Sequence, residues 1–160
     1  MNAMSAIAIA RERLDSPVAL GLIAALNAEL SSRYREPGAN HFRLDLDEVR
    51  PGRGAFVVAW RASEPVGCGA VRRLSPGVCE VKRMYVDPGA RGLGIGRAVL
   101  ASLEAAARQL GAARLVLETG TRQPEAIGLY LRAGFVRTPP YGEYVRSAPT
   151  SVCMAKQLTF

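Results

Sequence analysis

Val81-Lys82-Arg83-Met84-Tyr85-Val86, followed after Asp87-Pro88-Gly89-Ala90 by Arg91-Gly92-Leu93-Gly94-Ile95-Gly96-Arg97, is the stretch that decides the fold. The first six residues read as a strand. Beyond the glycines, Val99, Leu100, Leu103, Ala107 and Leu110 recur at helical spacing, and Gly111 supplies the C-terminal stop. A loop of glycine and arginine at such a junction can cradle phosphate. Glycine lets the backbone approach an anion closely, and the first turn of a helix leaves N–H groups unpaired under a partial positive charge. Arg91 and Arg97 add full charges. A plain strand-to-helix turn could carry the same glycines, so the surroundings have to choose.

Upstream, Ala55 to Arg61, Pro65 to Leu74 and Val78 to Val86 read as three strands. Ser63-Glu64 and Ser75-Pro76-Gly77 separate them, which suits an antiparallel meander. Ile7 to Arg13 predicts a first strand. Ser16-Pro17 then reads as an N-cap and first helical residue, before Val18, Leu22, Ile23, Leu26 and Leu30 in a helix ending near Ser32. The segment from Tyr34 to Pro51 is polar, holds Pro37-Gly38 and a short helix around Leu44 to Val49, and reads as a cover over a site. Downstream, Arg114 to Glu118 is a strand whose return across the helix sets it parallel to Val81 to Val86. A helix from Pro124 to Arg132 ends at Gly134. Phe135 to Thr138 and Ser151 to Leu158 close the sheet around a turn at Pro139-Pro140-Tyr141-Gly142.

With 160 residues and 49% hydrophobic content, the chain suits one domain spanning its length. Its longest apolar runs fall well short of the roughly 20 residues that cross a bilayer, and the first ten residues lack the basic start of a secretory signal. No membrane association is expected, and a cytoplasmic location is the default. Cys68, Cys79 and Cys153 are odd in number and widely spaced, which predicts buried thiols rather than a disulfide framework. His41 is the sole histidine, so no metal site is expected. The formal charge of +7 comes mostly from scattered arginines and favours an anionic ligand; without a DNA or RNA motif, nucleic acid is disfavoured.

Two phosphate-binding patterns fail. A Rossmann loop needs a third glycine where Arg97 stands and a first strand ending directly at the loop, although Glu118 lies at a plausible distance for a ribose contact. A P-loop needs Gly-Lys-Ser or Gly-Lys-Thr, which is absent. What fits is R-x-x-G-x-G, filled by Arg91, Gly94 and Gly96. With Val81 to Val86 before it, and with Pro124-Glu125-Ala126-Ile127-Gly128-Leu129-Tyr130 and Gly134-Phe135 after it, the chain from about Pro65 to Phe135 resembles the GNAT superfamily of N-acetyltransferases.

The resemblance implies a mixed α/β (α+β) fold, with a mostly antiparallel sheet of about seven strands flanked by about four helices. It implies acetyl-CoA as co-substrate. Arg91, Gly92, Leu93, Gly94, Ile95, Gly96 and Arg97 would hold its pyrophosphate, and the backbone of Met84, Tyr85 and Val86 would pair with its pantetheine arm like an added strand. Gln123 stands where the family often has a cofactor-contacting asparagine. An alkyl amine is mostly protonated at neutral pH, so a base is required. Glu80 resembles the position from which some members deploy a general-base glutamate, with a surface carboxylate paired to Lys82 or Arg83 as the alternative. Tyr130 matches the family tyrosine near the cofactor sulfur and would protonate the leaving thiolate. With no histidine placed to activate Cys79 or Cys153, direct transfer is expected. Tyr34, His41, Tyr141, Glu143 and Tyr144 fall in segments that border the acceptor cleft. The expected acceptor is a small-molecule amine, with a protein amine or a non-catalytic acyl-CoA-binding module as alternatives. Dimers are common among similar proteins, and the sequence leaves the oligomeric state open.

Overall fold

The computed structural model describes residues 6–35, 43–147 and 149–159. Local signals in the sequence start its elements where expected. Strand β1 (Ile7–Arg11) leads to helix α1 (Pro17–Arg33), whose Ser16 cap accepts a hydrogen bond from the Ala19 amide at 3.1 Å. Strands β2 (Gly54–Arg61), β3 (Glu64–Ser75) and β4 (Val78–Val86) form the meander. Helix α2 (Ile95–Gln109) carries the chain over one face to β5 (Arg114–Gly120). Helix α3 (Pro124–Arg132), β6 (Val136–Thr138) and β7 (Ser151–Gln157) complete it. Short 3₁₀ turns span Leu46–Val49, Pro88–Ala90 and Gly142–Ser147. The sheet order is β1-β2-β3-β4-β5-β7-β6, and among the described residues β4 with β5 is its one parallel pair. This is the mixed, mostly antiparallel seven-stranded sheet that the sequence implies.

Apolar side chains fill both faces. On the α2 side Cys79, Val81, Leu115, Leu117, Val99, Leu100, Leu103 and Tyr130 share one buried cluster. On the α1 side Leu22, Leu26, Phe56, Val58, Cys68, Ala70 and Tyr85 form another. Each fully buried aliphatic side chain contributes on the order of 2 kcal/mol, so the sheet is a stiff support for whatever lies between its strands. No helix among the described residues is long and apolar enough to cross a membrane.

Two irregularities of β4 open the site. Its pairing with β5 runs only from Val78↔Arg114 to Val81↔Leu117, so Lys82 to Val86 and Glu118 to Gly120 diverge from one another. On its other edge, β4 spends one residue more than β3 between Cys68↔Tyr85 and Ala70↔Lys82. Arg83 absorbs the extra residue with φ +59°, a left-handed conformation that costs an L-residue roughly 1–2 kcal/mol. The bulge reverses the alternation of the strand. Cys79 and Val81 face α2 before it, whereas Met84 and Val86 do so after it.

Candidate active site

The loop after β4 is shaped by two left-handed glycines. Asp87 accepts from the Gly89 amide at 3.1 Å and starts the 3₁₀ turn. Gly92 and Gly94 then take φ of +84° and +79°, and Gly94 is the N-cap of α2. A Cβ on either residue would meet nothing within 4 Å, so backbone conformation selects glycine here and the concave side of the loop stands open. The first-turn amides of α2 therefore face a space that suits an anion. That space is a cavity of about 450 Å³ running from the loop between Met84, Tyr85 and Val86 of β4 and Ala126, Leu129 and Tyr130 of α3. Arg91 lines it with its guanidinium engaged twice, donating to the Val86 carbonyl at 3.0 Å and pairing with Glu29 of α1 at 2.6 Å.

A second, smaller cavity of about 90 Å³ lies on the α1 side of the splay. Leu26, Leu30, Tyr34, Lys82, Glu118 and Tyr144 contribute to its wall. Met84, Gln123 and Tyr130 line both cavities, so the two meet where β4 and β5 part. Glu118 is the first residue of β5 beyond the last β4–β5 pair. Its Oε2 accepts from the Ser151 hydroxyl at 2.6 Å. Burial pushes its carboxyl up to about 7; the charges of Glu80 and Glu143 act in the same direction, opposed by the Ser151 hydrogen bond and by Lys82. Tyr130, only 4% exposed, packs edge-to-face on Phe135 with ring centroids 5.9 Å apart. Burial and then the Glu118 charge raise its phenol above the ordinary tyrosine range.

Known proteins resemble this chain in sequence and fold. The sequence model of the acetyltransferase (GNAT) family matches residues 22–135. The chain belongs to the GNAT acetyltransferase family. An IAA acetyltransferase of Azospirillum brasilense is 39% identical over 156 residues, covering 97% of this chain and all of the other. A Klebsiella pneumoniae structure assigned as an acyl-CoA N-acyltransferase superposes with TM-score 0.83 at 35% identity, covering 97% and 99% of the two chains. A GNAT acetyltransferase from Elizabethkingia anophelis with acetyl-CoA bound shares the fold, with TM-score 0.68 at 19% identity over 95% and 98%.

This acetyltransferase uses acetyl-CoA as its co-substrate, and the larger cavity fits it. The open glycine cradle suits the pyrophosphate, and Met84 to Val86, unpaired on the β5 side, suit the amides of the pantetheine arm. Gly92, Gly94, Ile95, Gly96, Arg97, Gln123 and Tyr130 also line this cavity, while Leu93, 39% exposed, does not. Gln123 uses its Oε1 to hold the Gly120 amide at 3.0 Å, fixing the turn before α3.

Glu80, the expected general base, is not on the wall of either cavity. It is fully buried and accepts from Arg72 Nε at 2.8 Å and from the Tyr141 hydroxyl at 2.7 Å. Arg72 faces it directly across the β3–β4 ladder and also pairs with Glu48. The sequence offers Glu80 as a general base or as a surface carboxylate paired with Lys82 or Arg83, and neither reading contains this cross-strand partner. Sequence reasoning also missed Glu118, since nothing in the sequence marks the point where two strands stop pairing. Tyr34 and Tyr144 line the smaller cavity, Glu143 reaches Lys82 at 3.3 Å, and His41 lies outside the described residues. All three cysteines are buried, and burial raises their thiols, Cys68 to about 12, which leaves them poor nucleophiles.

Proposed function

We propose that this enzyme acetylates the neutral amine of a small-molecule acceptor by direct transfer, with Glu118 as general base and Tyr130 as general acid. The observation that carries the reading is the position of Glu118, a carboxylate in the wall of the small cavity, close enough to Tyr130, which lines both cavities, for its charge to act on that phenol. Acetyl-CoA supplies an activated acetyl thioester. Glu118 Oε1, which has no hydrogen-bond partner among the described residues, takes the proton that an ammonium must lose before its nitrogen can attack. A base that titrates near 7 is half ionised at neutral pH and still basic enough to serve. Tyr130 Oη has the opposite property. Its raised pKa keeps the proton in place until a thiolate is there to receive it.

The size of the acceptor cavity and its wall of Leu26, Leu30, Tyr34 and Tyr144 favour a small molecule over a polypeptide. The relative named for IAA makes IAA one acceptor to test. The experiment is thiol release from acetyl-CoA against primary amines, amino acids, IAA and lysine-bearing peptides. Turnover with a small amine well above the rate without acceptor is expected. Turnover with peptides alone would move the acceptor class to proteins, and thermal stabilisation by coenzyme A without any turnover would refute the catalytic reading.

A further inference from the structure

The charged residues that line the acetyl-CoA cavity do not balance. They are Glu29, Arg91, Arg97, Glu125 and Arg132. Glu29 pairs with Arg91 at 2.6 Å, and Glu125 pairs with Arg33, which lies outside the lining. Both carboxylates are thus compensated, and Arg97 and Arg132 make no hydrogen bond or ion pair among the described residues. They stand on adjacent walls. Arg97 follows Gly96 in the first turn of α2, where a Cβ on Gly96 would lie 3.2 Å from Leu129 of α3, and Arg132 is three residues beyond Leu129.

Gly128 adds a second observation. A glycine inside a helix is less favourable than alanine by about 1 kcal/mol, and this one does not need a left-handed backbone. What occupies the space beside it is Arg132, whose Nη1 lies 3.0 Å from where a Gly128 Cβ would be. The guanidinium folds back along α3 onto the gap that glycine leaves. A basic residue at a helix C-terminus is favourable in itself, but that effect requires no gap one turn earlier.

We propose that Arg97, which the resemblance assigns to the pyrophosphate, instead joins Arg132 in a subsite for the 3′-phosphate of coenzyme A, and that Gly128 shapes it. A phosphate monoester carries close to two negative charges at neutral pH, matching the two uncompensated guanidiniums. Arginine forks onto phosphate oxygens in a way that a single ammonium does not. The inference rests on the acetyl-CoA cavity and is independent of the acceptor and of Glu118.

The test is calorimetric binding of coenzyme A and of 3′-dephospho-coenzyme A to the full chain. The wild type should prefer the phosphorylated ligand by tenfold or more, as charge-assisted hydrogen bonds of this kind imply. Arg132→Gln should remove about tenfold of that preference and leave the dephospho affinity unchanged, and Arg97→Gln should lower the preference as well, with the smaller loss for the dephospho ligand. Gly128→Ala should lower the preference while raising the melting temperature, a combination that a merely structural arginine cannot produce. An unchanged preference in both arginine variants, or an equal loss for both ligands, would overturn the subsite. Failure of the wild type to bind either ligand would instead overturn the cavity assignment beneath it.

Discussion

Replacing Glu118 by glutamine separates chemistry from stability in one variant. The carboxyl is displaced from 4.5 to about 7, chiefly by burial. At about 1.4 kcal/mol per tenfold change in proton affinity, that displacement corresponds to about 3 kcal/mol of conflict between folding and ionisation. The sign follows from proton counting. Between 4.5 and about 7 the folded chain holds a proton that the unfolded chain has released, so stability falls as pH rises through this window and stays reduced above it. Glu118→Gln should therefore unfold later than wild type at pH 8, by up to about 3 kcal/mol, and almost together with it at pH 4. Turnover should move the other way. In the wild type, kcat/KM should rise about tenfold from pH 6 to a plateau above 7, and the variant should lose on the order of 10²–10⁴-fold at the plateau along with that acid limb. Thermal unfolding at the two pH values and a pH–rate profile with the best small amine measure both. A variant that keeps its plateau rate and its acid limb would show that the base lies elsewhere. A variant no more stable than wild type at pH 8 would show that Glu118 ionises without cost.

Tyr130→Phe should lower kcat by on the order of 10²-fold or more while leaving the Kd for coenzyme A nearly unchanged, because the ring still packs on Phe135 and only the proton is lost. Equal losses in kcat and binding by calorimetry would make the tyrosine a structural residue. Glu29→Gln removes a carboxylate from the acetyl-CoA cavity and releases Arg91 from its 2.6 Å partner, so coenzyme A should bind severalfold more tightly, with the gain shrinking at high salt. Weaker binding at low salt would mean that Glu29 holds Arg91 in its productive position.

Sequence resolved what depends on neighbours along the chain. Ser16 and Pro17 start α1, Gly94 starts α2, and Pro124 to Arg132 are helical because caps and periodicity act within a few residues. The glycine-arginine loop was legible for the same reason. What depends on partners far along the chain was not. Glu80 and Glu118 are both strand glutamates next to apolar residues, and their difference lies in Arg72 across one ladder and in the end of another. β5 runs to Gly120, two residues past its predicted end at Glu118, and these lie in the divergent part where pairing no longer reports on them. Nor does Arg83 look unlike any other strand arginine, because a bulge is a property of two strands counted against each other.

That bulge has a bearing on how acceptor range can drift within such a fold. Because the extra residue shifts the phase of β4, side chains at Glu80 and Lys82 and those at Met84 and Val86 belong to opposite faces, as two short strands joined at Arg83 would. Substitution on the acceptor half can then proceed without repacking the half that meets acetyl-CoA. A single insertion or deletion cannot, since it would swap every face on one side of the joint at once. Diversification in this region should therefore be carried by replacement of side chains at constant strand length.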